Sequence, residues 1–175
     1  MNYDTNDEYT KTILSNNQTK FIHSALKYCN PKDHYEKMVF HHGCVAVKSG
    51  KIIATGRNSS RSYSKDGFIN NCSCHAEIDT LRKIWKIYSK NNNTKKINSI
   101  YSKITLYIVR YNSKNIYAHS APCIECTNKI KYLGIKKLIY CNENNDFTII
   151  KTENYETNHY SGCSRRFKNN SYYSL

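Results

Sequence analysis

The sequence predicts an α/β protein in which a five-stranded mixed β-sheet lies between helices on both faces, in three α-β-α layers. Short apolar strand patterns alternate with segments whose apolar residues recur at helical spacing, and such alternation is typical of α/β folds. The chain has 175 residues, a length that fits one domain and can bury a sizeable core. We therefore expect a single sheet that carries every element.

The first elements are a helix and a hairpin. The pattern predicts a helix over Gln18–Cys29. Residues 43–58 then contain two short apolar runs separated by Ser49 and Gly50, a pair that favours a chain reversal between strands. These segments are the first helix and the first two strands.

The next predicted helix follows Cys74. Helical spacing from that point places His75 and Glu77 in its first turn. The repeating apolar and aromatic positions are Ile78, Leu81, Ile84, Trp85 and Tyr88.

The remaining elements alternate between strand and helix. Lys103–Arg110 predicts the third strand, and Lys136–Tyr140 and Phe147–Lys151 predict two more around a turn at Asn142–Asp146. Between them, Pro122 and Cys123 favour a helix start, because proline is tolerated in the first turn, and Gly134 is a suitable carboxyl-terminal cap. The predicted order is α-β-β-α-β-α-β-β.

Four residues in these helices supply the equipment for metal-assisted hydrolysis. His75, Cys123 and Cys126 are zinc ligands of the usual types, and a catalytic zinc takes three protein ligands and leaves its fourth position to water. Zinc lowers the pKa of such a water towards roughly 7. Glu77 is a carboxylate that need not bind metal and can act as a general acid and base.

Each half of this pattern also has an ordinary interpretation. A lone C-x-x-C is compatible with a redox pair or a structural zinc corner, and a first-turn glutamate after a packed histidine is ordinary helix chemistry. Cys72 and Cys74 lie close enough in sequence to raise the alternative of a structural zinc, although we expect both to be buried or partly buried thiols. The order of the two halves, each opening a predicted helix, favours the catalytic site.

The arrangement H-x-E…P-C-x-x-C is the signature of zinc-dependent nucleobase deaminases, and the chain resembles the cytidine/deoxycytidylate deaminase superfamily. The run from Gly43 to Asn58 is similar to the first hairpin of that fold. The resemblance covers residues 18–151 and implies a cytidine deaminase-like fold with a bound Zn²⁺. Deaminases of this fold are often dimers or larger, which implies a homo-oligomer.

Roles for individual residues follow from the resemblance. It implies that His75, Cys123 and Cys126 bind the metal and that Glu77 is catalytic. It also implies two substrate contacts, which are Asn58 to the sugar and the backbone at Ala76 to the edge of the pyrimidine.

The sequence departs from the family in two places, which leaves the substrate open. Tyr111–His119 and the hydrophilic stretch Lys90–Ser102 lengthen the connections around the third strand, and residues 112–115 suggest an added hairpin turn near the active site. Residues 78–80, which follow Glu77, match neither the nucleotide enzymes nor the tRNA enzymes closely.

The domain organisation and compartment follow from composition. We predict a flexible amino-terminal segment at 1–17, the deaminase domain at 18–151, and a basic, tyrosine-rich extension at 152–175. No apolar run approaches the roughly 18–20 residues that span a bilayer, and the first twenty residues show no secretory pattern, so we expect no membrane partner. With eight cysteines and no secretory route, an intracellular, cytoplasmic compartment is the expectation.

The positive charge has two interpretations. Lysine plus arginine number 27 against 13 acidic residues, a formal net charge of +14 that favours polyanionic partners. Sixteen tyrosines and a tail with Arg165, residues 166–168 and tyrosines at 172 and 173 also suit stacking on nucleic-acid bases. A genome rich in A and T would enrich lysine, asparagine and tyrosine without any binding role. Arg57, Arg61 and Arg82 are candidate phosphate contacts or ordinary solvated side chains.

The sequence therefore predicts hydrolytic deamination of a cytosine nucleotide or nucleoside in nucleotide metabolism, with dCMP or CMP favoured over cytidine by the basic charge. One alternative is a deaminase acting on a base in tRNA or single-stranded nucleic acid. A second is a catalytically inactive zinc-binding interaction module.

Overall fold

Five strands form one mixed sheet at the centre of the protein. The computed structural model describes residues 13–29, 41–70, 73–89, 94–111, 117–162 and 164–165. Cys72, the suggested turn at 112–115 and the tail beyond residue 165 lie outside the described residues. The strands are β1 (His41–Lys48), β2 (Lys51–Arg57), β3 (Ile104–Tyr111), β4 (Lys137–Cys141) and β5 (Phe147–Lys151).

The sheet has the order β2-β1-β3-β4-β5. β3 and β4 are parallel, whereas the other three neighbouring pairs are antiparallel. The predicted five-stranded mixed sheet is therefore confirmed. At the end of β3, Tyr111 pairs in antiparallel fashion with Tyr117 across the suggested turn.

The turn between β1 and β2 is the predicted Ser-Gly reversal. Ser49 and Gly50 both have positive φ, at 50° and 73°. Two successive positive φ values are those of the tight two-residue turn that matches the twist of a hairpin. Glycine suits the second position because it has no side chain to clash there.

Helices cover both faces of the sheet, as predicted, and the described residues form four of them where the sequence predicted three. They are α1 (Asn16–Leu26), α2 (Ala76–Tyr88), α3 (Thr94–Tyr101) and α4 (Ile124–Tyr132). α1 packs on one face, over a cluster that includes Val45, Val109 and Ile139. α2, α3 and α4 pack on the other face, over alternate residues of the same strands. No helix in the described ranges has both the length and the apolar character needed to cross a membrane.

The observed helix starts differ from the predicted ones by one or two residues. α1 begins at Asn16, because Ser15 and Gln18 form a reciprocal capping box that stabilises an earlier start. His75 is the N-cap of α2 and not part of its first turn, and Cys123 likewise is the N-cap of α4. The predicted end of α4 is confirmed, since Gly134 has a φ of 75° just beyond the helix.

α3 was not expected from the sequence, which suggested only a hydrophilic connection over Lys90–Ser102. Ile97, Ile100 and Tyr101 are buried in the core from this helix. Their spacing of three and four residues is typical of a helix. The helix has only eight residues, however, and polar residues surround these three, so the pattern is weak. Packing against the core, not local sequence preference, therefore explains this element.

The direction of the strands explains where the helices begin. β2 and β3 are both antiparallel to β1, so they run the same way, and β4 runs with them. α2 follows β2 along the chain and α4 follows β3. The amino termini of α2 and α4 consequently meet at the same end of the sheet.

β2 and the first turn of α2 approach each other closely at Gly56. A Cβ atom added there would overlap Thr80 Oγ1 and the carbonyl oxygen of Ala76, and would lie 2.6 Å from the backbone nitrogen of Thr80. Two of these three atoms belong to the backbone, so the neighbours cannot move aside by a simple rotamer change. The position requires glycine because of contact and not because of φ.

We predict that Gly56→Ala lowers the free energy of unfolding by about 3 kcal/mol, since overpacking against backbone must move the whole helix. Denaturant unfolding of the purified variant measures the loss. Gly162→Ala is the matched control, because nothing lies within 4 Å of a Cβ added there, and we expect it to stay within about 0.5 kcal/mol of the parent. Equal stability of the two variants would contradict the proposed close approach.

Candidate active site

The two helix starts bring three potential metal ligands together. His75 Nδ1 lies 3.2 Å from Cys126 Sγ and 3.5 Å from Cys123 Sγ. The ligand atoms of the three residues all lie within 4.8 Å of one another, the single such group among the described residues. The structure thus assembles the set that the sequence predicted from positions 48 and 51 residues apart.

These distances fit a tetrahedral zinc site. With Zn–N of about 2.1 Å and Zn–S of about 2.3 Å at tetrahedral angles, nitrogen and sulfur ligands lie about 3.6 Å apart. One neutral nitrogen and two sulfurs make a donor set that suits zinc and leaves a fourth position open. Cys74 is not part of this group; its thiol is buried and contacts the carbonyl oxygen of His75 at 3.6 Å.

The electrostatics of the cluster are those of groups that share protons at close range. A hydrogen bond from Cys126 lowers the pKa of Cys123 to about 4. The same bond, together with burial, raises the pKa of Cys126 well above its ordinary value. Burial opposes protonation of His75, but the hydrogen bond with Cys123 raises its pKa to about 9. The three groups therefore interact strongly with one another, and a divalent cation at the same position would be held by the neutral imidazole and two thiolates.

At the start of both helices, the N-cap side chain belongs to the ligand cluster and does not cap the helix. His75 and Cys123 are the N-caps of α2 and α4, yet neither makes a side-chain capping bond. Their side-chain atoms face each other instead. The partial positive charge at two helix amino termini favours a thiolate there, by about 0.3–1 kcal/mol for each helix.

Glu77 occupies the second position of α2 and is 5% exposed. Burial raises its pKa, and the positive charge of His75 opposes that shift. Glu125 occupies the same second position in α4 but is exposed to solvent. The two glutamates have the same place in their helices and different surroundings, so only Glu77 lies enclosed beside the ligand cluster.

Two buried hydroxyl residues that the sequence analysis did not identify hold the site in place. Thr80 Oγ1 donates to the carbonyl oxygens of Ala76 at 2.8 Å and Cys44 at 3.2 Å, which joins the first turn of α2 to β1. Ser120 bonds through its hydroxyl to Ile108 and Cys141, which joins the loop before α4 to β3 and β4. Serine and threonine are common on protein surfaces, so the sequence does not indicate that these two residues are buried at the site.

The predicted substrate contacts lie at the same end of the sheet. Asn58 directly follows β2; its Oδ1 accepts a hydrogen bond from the backbone N–H of His42 at 2.8 Å, and its own N–H donates to the His42 carbonyl at 3.3 Å. Ala76 is fully buried at the first position of α2, where backbone N–H groups have no acceptor within the helix. Their roles towards a substrate stay predictions.

The three arginines considered for phosphate binding differ in their surroundings. Arg82 Nε forms an ion pair of 2.6 Å with Asp66, and both side chains are largely buried. Arg57 and Arg61 are exposed. Arg82 is therefore structural, while the roles of Arg57 and Arg61 stay predictions.

One cleft borders the ligand cluster, and a second lies next to the residue that precedes Cys123. One, of about 260 Å³, is lined by His75, Cys126, Phe68 and Ile78 among others. The second, of about 630 Å³, lies beside Pro122 and is lined by residues after β3 and β4 and by the segment after β5. Two of the three ligand residues, His75 and Cys126, thus line a cleft.

Comparisons with known proteins give the family of the chain and support its fold. A family model described as the cytidine and deoxycytidylate deaminase zinc-binding region matches residues 15–142, which is well over half of the chain. The matched range includes the three residues of the ligand cluster and Glu77. A cytidine deaminase from Burkholderia pseudomallei shares the fold, with a TM-score of 0.52 and 15% identity over 84% of this chain and 100% of that chain. A dCMP deaminase from the cyanophage S-TIM5 has a TM-score of 0.46 and 23% identity over 75% of this chain and 86% of that chain. No curated protein sequence gives a significant match.

We predict that Cys126→Ser lowers the zinc content of the purified protein well below one equivalent, because a serine hydroxyl is a poor zinc ligand beside a thiolate. Metal analysis of the protein after dialysis measures it. Cys74→Ser is the matched control, a buried thiol next to His75 but outside the group, and it should keep the full complement. Loss of zinc from Cys74→Ser alone would show that the ligand set is wrong.

Proposed function

Because this chain belongs to the cytidine and deoxycytidylate deaminase family, we propose that it is a zinc-dependent hydrolase that deaminates a cytosine nucleotide or nucleoside within the cell. The observation that carries the proposal is the convergence of His75, Cys123 and Cys126 within 4.8 Å, beside the buried carboxyl group of Glu77. The three residues would hold the metal. When bound, zinc supplies a Lewis acid that lowers the pKa of a water molecule.

Glu77 would move the protons of the reaction. The oxygen of water forms a bond to the ring carbon that bears the amino group, and the bond from that carbon to the amine then breaks. Glu77 accepts a proton from the water and delivers it to the ring nitrogen, and then passes the second proton to the departing amine. The products are the uracil compound and ammonia, so the atoms of one water molecule balance the exchange.

The buried position of Glu77 suits this work. Burial raises the pKa of its carboxyl group above the ordinary range, so the protonated and ionised forms are closer in energy near neutral pH. A general acid and base works best when its pKa lies near the working pH.

Asn58 and Ala76 would orient the substrate. Asn58 lies where β2 ends, and its hydrogen bonds with the backbone of His42 fix its position next to β1. The backbone of Ala76 lies between the ligand His75 and the acid Glu77. In this arrangement Asn58 binds the sugar and the backbone of Ala76 binds the edge of the pyrimidine ring.

The basic composition favours a substrate that carries a phosphate, since the formal net charge is +14. Burial lowers the pKa of His42 to about 3, so this imidazole is neutral near pH 7 and adds no positive charge. Arg110 lies opposite His42 in the pairing of β1 with β3, at the end of the sheet that carries the metal ligands. We therefore propose dCMP or CMP in preference to cytidine.

The net charge of +14 also favours a second candidate, a deaminase that acts on a base in tRNA or single-stranded nucleic acid. Such an enzyme must grip the flanking phosphates, so its binding to oligonucleotides falls steeply as salt is raised. A mononucleotide enzyme needs no such contacts. A panel of substrates that contains both mononucleotides and oligonucleotides distinguishes the two candidate functions.

We predict turnover of cytosine mononucleotides in a panel of cytidine, deoxycytidine, their monophosphates, adenosine, guanine and short single-stranded DNA and RNA. Mass spectrometry detects the gain of about one mass unit when an amine becomes an oxygen. Turnover confined to the oligomers would support the nucleic-acid candidate instead. No turnover by zinc-loaded protein would leave an untested substrate or the inactive zinc-binding module as explanations.

We predict that Glu77→Gln keeps zinc and fold but lowers turnover by about 10²–10⁴-fold or more, because the amide cannot carry protons between the water and the substrate. Glu125→Gln is the matched control at the equivalent position of α4, and it should keep turnover near the parent level. Retained turnover in Glu77→Gln would contradict the proposed role.

We also predict a higher kcat/KM for the monophosphates than for the matching nucleosides, since the net charge of +14 attracts phosphate. The preference should weaken as sodium chloride is raised, because salt screens the attraction. Equal kcat/KM for cytidine and its monophosphate at low salt would remove the basis for a nucleotide substrate.

A further inference from the structure

The segment after β5 holds the metal ligand Cys123 from both sides. Tyr155 Oη donates a hydrogen bond of 2.8 Å to the carbonyl oxygen of Pro122, the residue before Cys123. The backbone N–H of Ile124, the residue after Cys123, donates a bond of 2.9 Å to the carbonyl oxygen of His159. We call residues 152–160 the clamp segment. Neither bond involves a side chain of the ligand cluster itself.

One of these bonds satisfies a backbone group at the start of α4. The first four N–H groups of a helix have no acceptor within it, and the Cys123 side chain makes no capping bond to any of them. The clamp segment supplies an acceptor for the first of these groups, the N–H of Ile124. Because the Pro122 carbonyl is fixed as well, the backbone of Cys123 is held on both sides.

The clamp segment is itself firmly attached. Tyr155 is 5% exposed, and its ring lies edge-on to that of Tyr140 on β4, with centroids 5.5 Å apart. The start of the segment is bonded to the chain before β4, through the N–H of Thr152 and the carbonyl oxygen of Lys136 at 2.9 Å. The segment thus links the sheet to the start of α4.

We propose that Tyr155 is a positioning residue for Cys123 and that the clamp segment slows the loss of zinc from the site. The inference rests on the proposed function, since it takes the cluster to be a zinc site. A ligand whose backbone is already in place loses less freedom on binding, so the metal is held more tightly. Tyr155 acts through Pro122 and does not touch the metal.

The first test is Tyr155→Phe, which removes only the hydroxyl. In the zinc-loaded full chain we expect zinc to pass to a chromogenic chelator about tenfold faster than in the parent. Tyr101→Phe is the matched control, because the buried hydroxyl of Tyr101 also donates to a backbone carbonyl, that of Leu81, at 2.9 Å. It should lose comparable stability in denaturant unfolding while keeping the parent rate of zinc loss.

The second test removes the other bond. Ile124→Pro deletes the donor N–H, and proline is well suited to the first position of a helix. The preceding Cys123 has φ −72° and ψ 168°, an extended conformation that a following proline allows. Ile124→Ala keeps the N–H and controls for the lost side chain. We expect faster zinc loss in the proline variant than in the alanine variant.

Parent-like zinc loss in both Tyr155→Phe and Ile124→Pro would overturn the inference while leaving the zinc-dependent function intact. Equal acceleration in Tyr155→Phe and Tyr101→Phe would also overturn it, because the effect would then be general destabilisation. If the parent chain bound no zinc, the proposed function would fail and the inference with it. This outcome is distinguishable from the others by metal analysis of the parent alone.

Discussion

The structure depends on bringing one imidazole nitrogen and two sulfurs to within bonding range of a common point. The direction of the strands largely determines this arrangement. β2 and β3 run the same way, and each is followed by a helix whose first residues carry the ligands. His75 Nδ1 then lies 3.2 Å from Cys126 Sγ and 3.5 Å from Cys123 Sγ. The cost is that His75 and Cys123, which would otherwise cap their helices, cannot do so.

Much of the surrounding hydrogen bonding offsets that cost. In α2, Thr80 joins the first turn to β1, and Gly56 lets β2 approach the same turn closely. In α4, Ser120 fixes the loop before Pro122, and Tyr155 and the His159 carbonyl hold the residues on each side of Cys123. The two helix starts are thus stabilised by different neighbours. α2 uses the adjacent strands, whereas α4 uses a segment more than thirty residues further along the chain.

The sequence allowed the grouping of His75, Cys123 and Cys126 and the five strands along the chain to be predicted, because those signals are local. The short spacings within H-x-E and C-x-x-C are typical of metal-binding and catalytic residues. The period at which apolar residues recur distinguishes a strand from a helix. α3 was missed, since only Ile97, Ile100 and Tyr101 mark it and burial decides its formation. Thr80, Ser120 and Tyr155 could not be found either. Each acts through a partner distant in sequence, and nothing in a hydroxyl group reveals whether the fold will bury it.

Glu77 and Glu125 show that glutamates at the same position of two helices can have different surroundings. Both glutamates occupy the second position of a helix whose N-cap is a metal ligand. The first turn of α2 lies under β1 and β2, so Glu77 is enclosed and its pKa is raised by burial. Glu125 is exposed to water. Its carboxyl group is therefore solvated and does not lie enclosed beside a bound nucleobase. Because Glu77 is enclosed beside the cluster and Glu125 faces solvent, we expect Glu77 and not Glu125 to transfer protons.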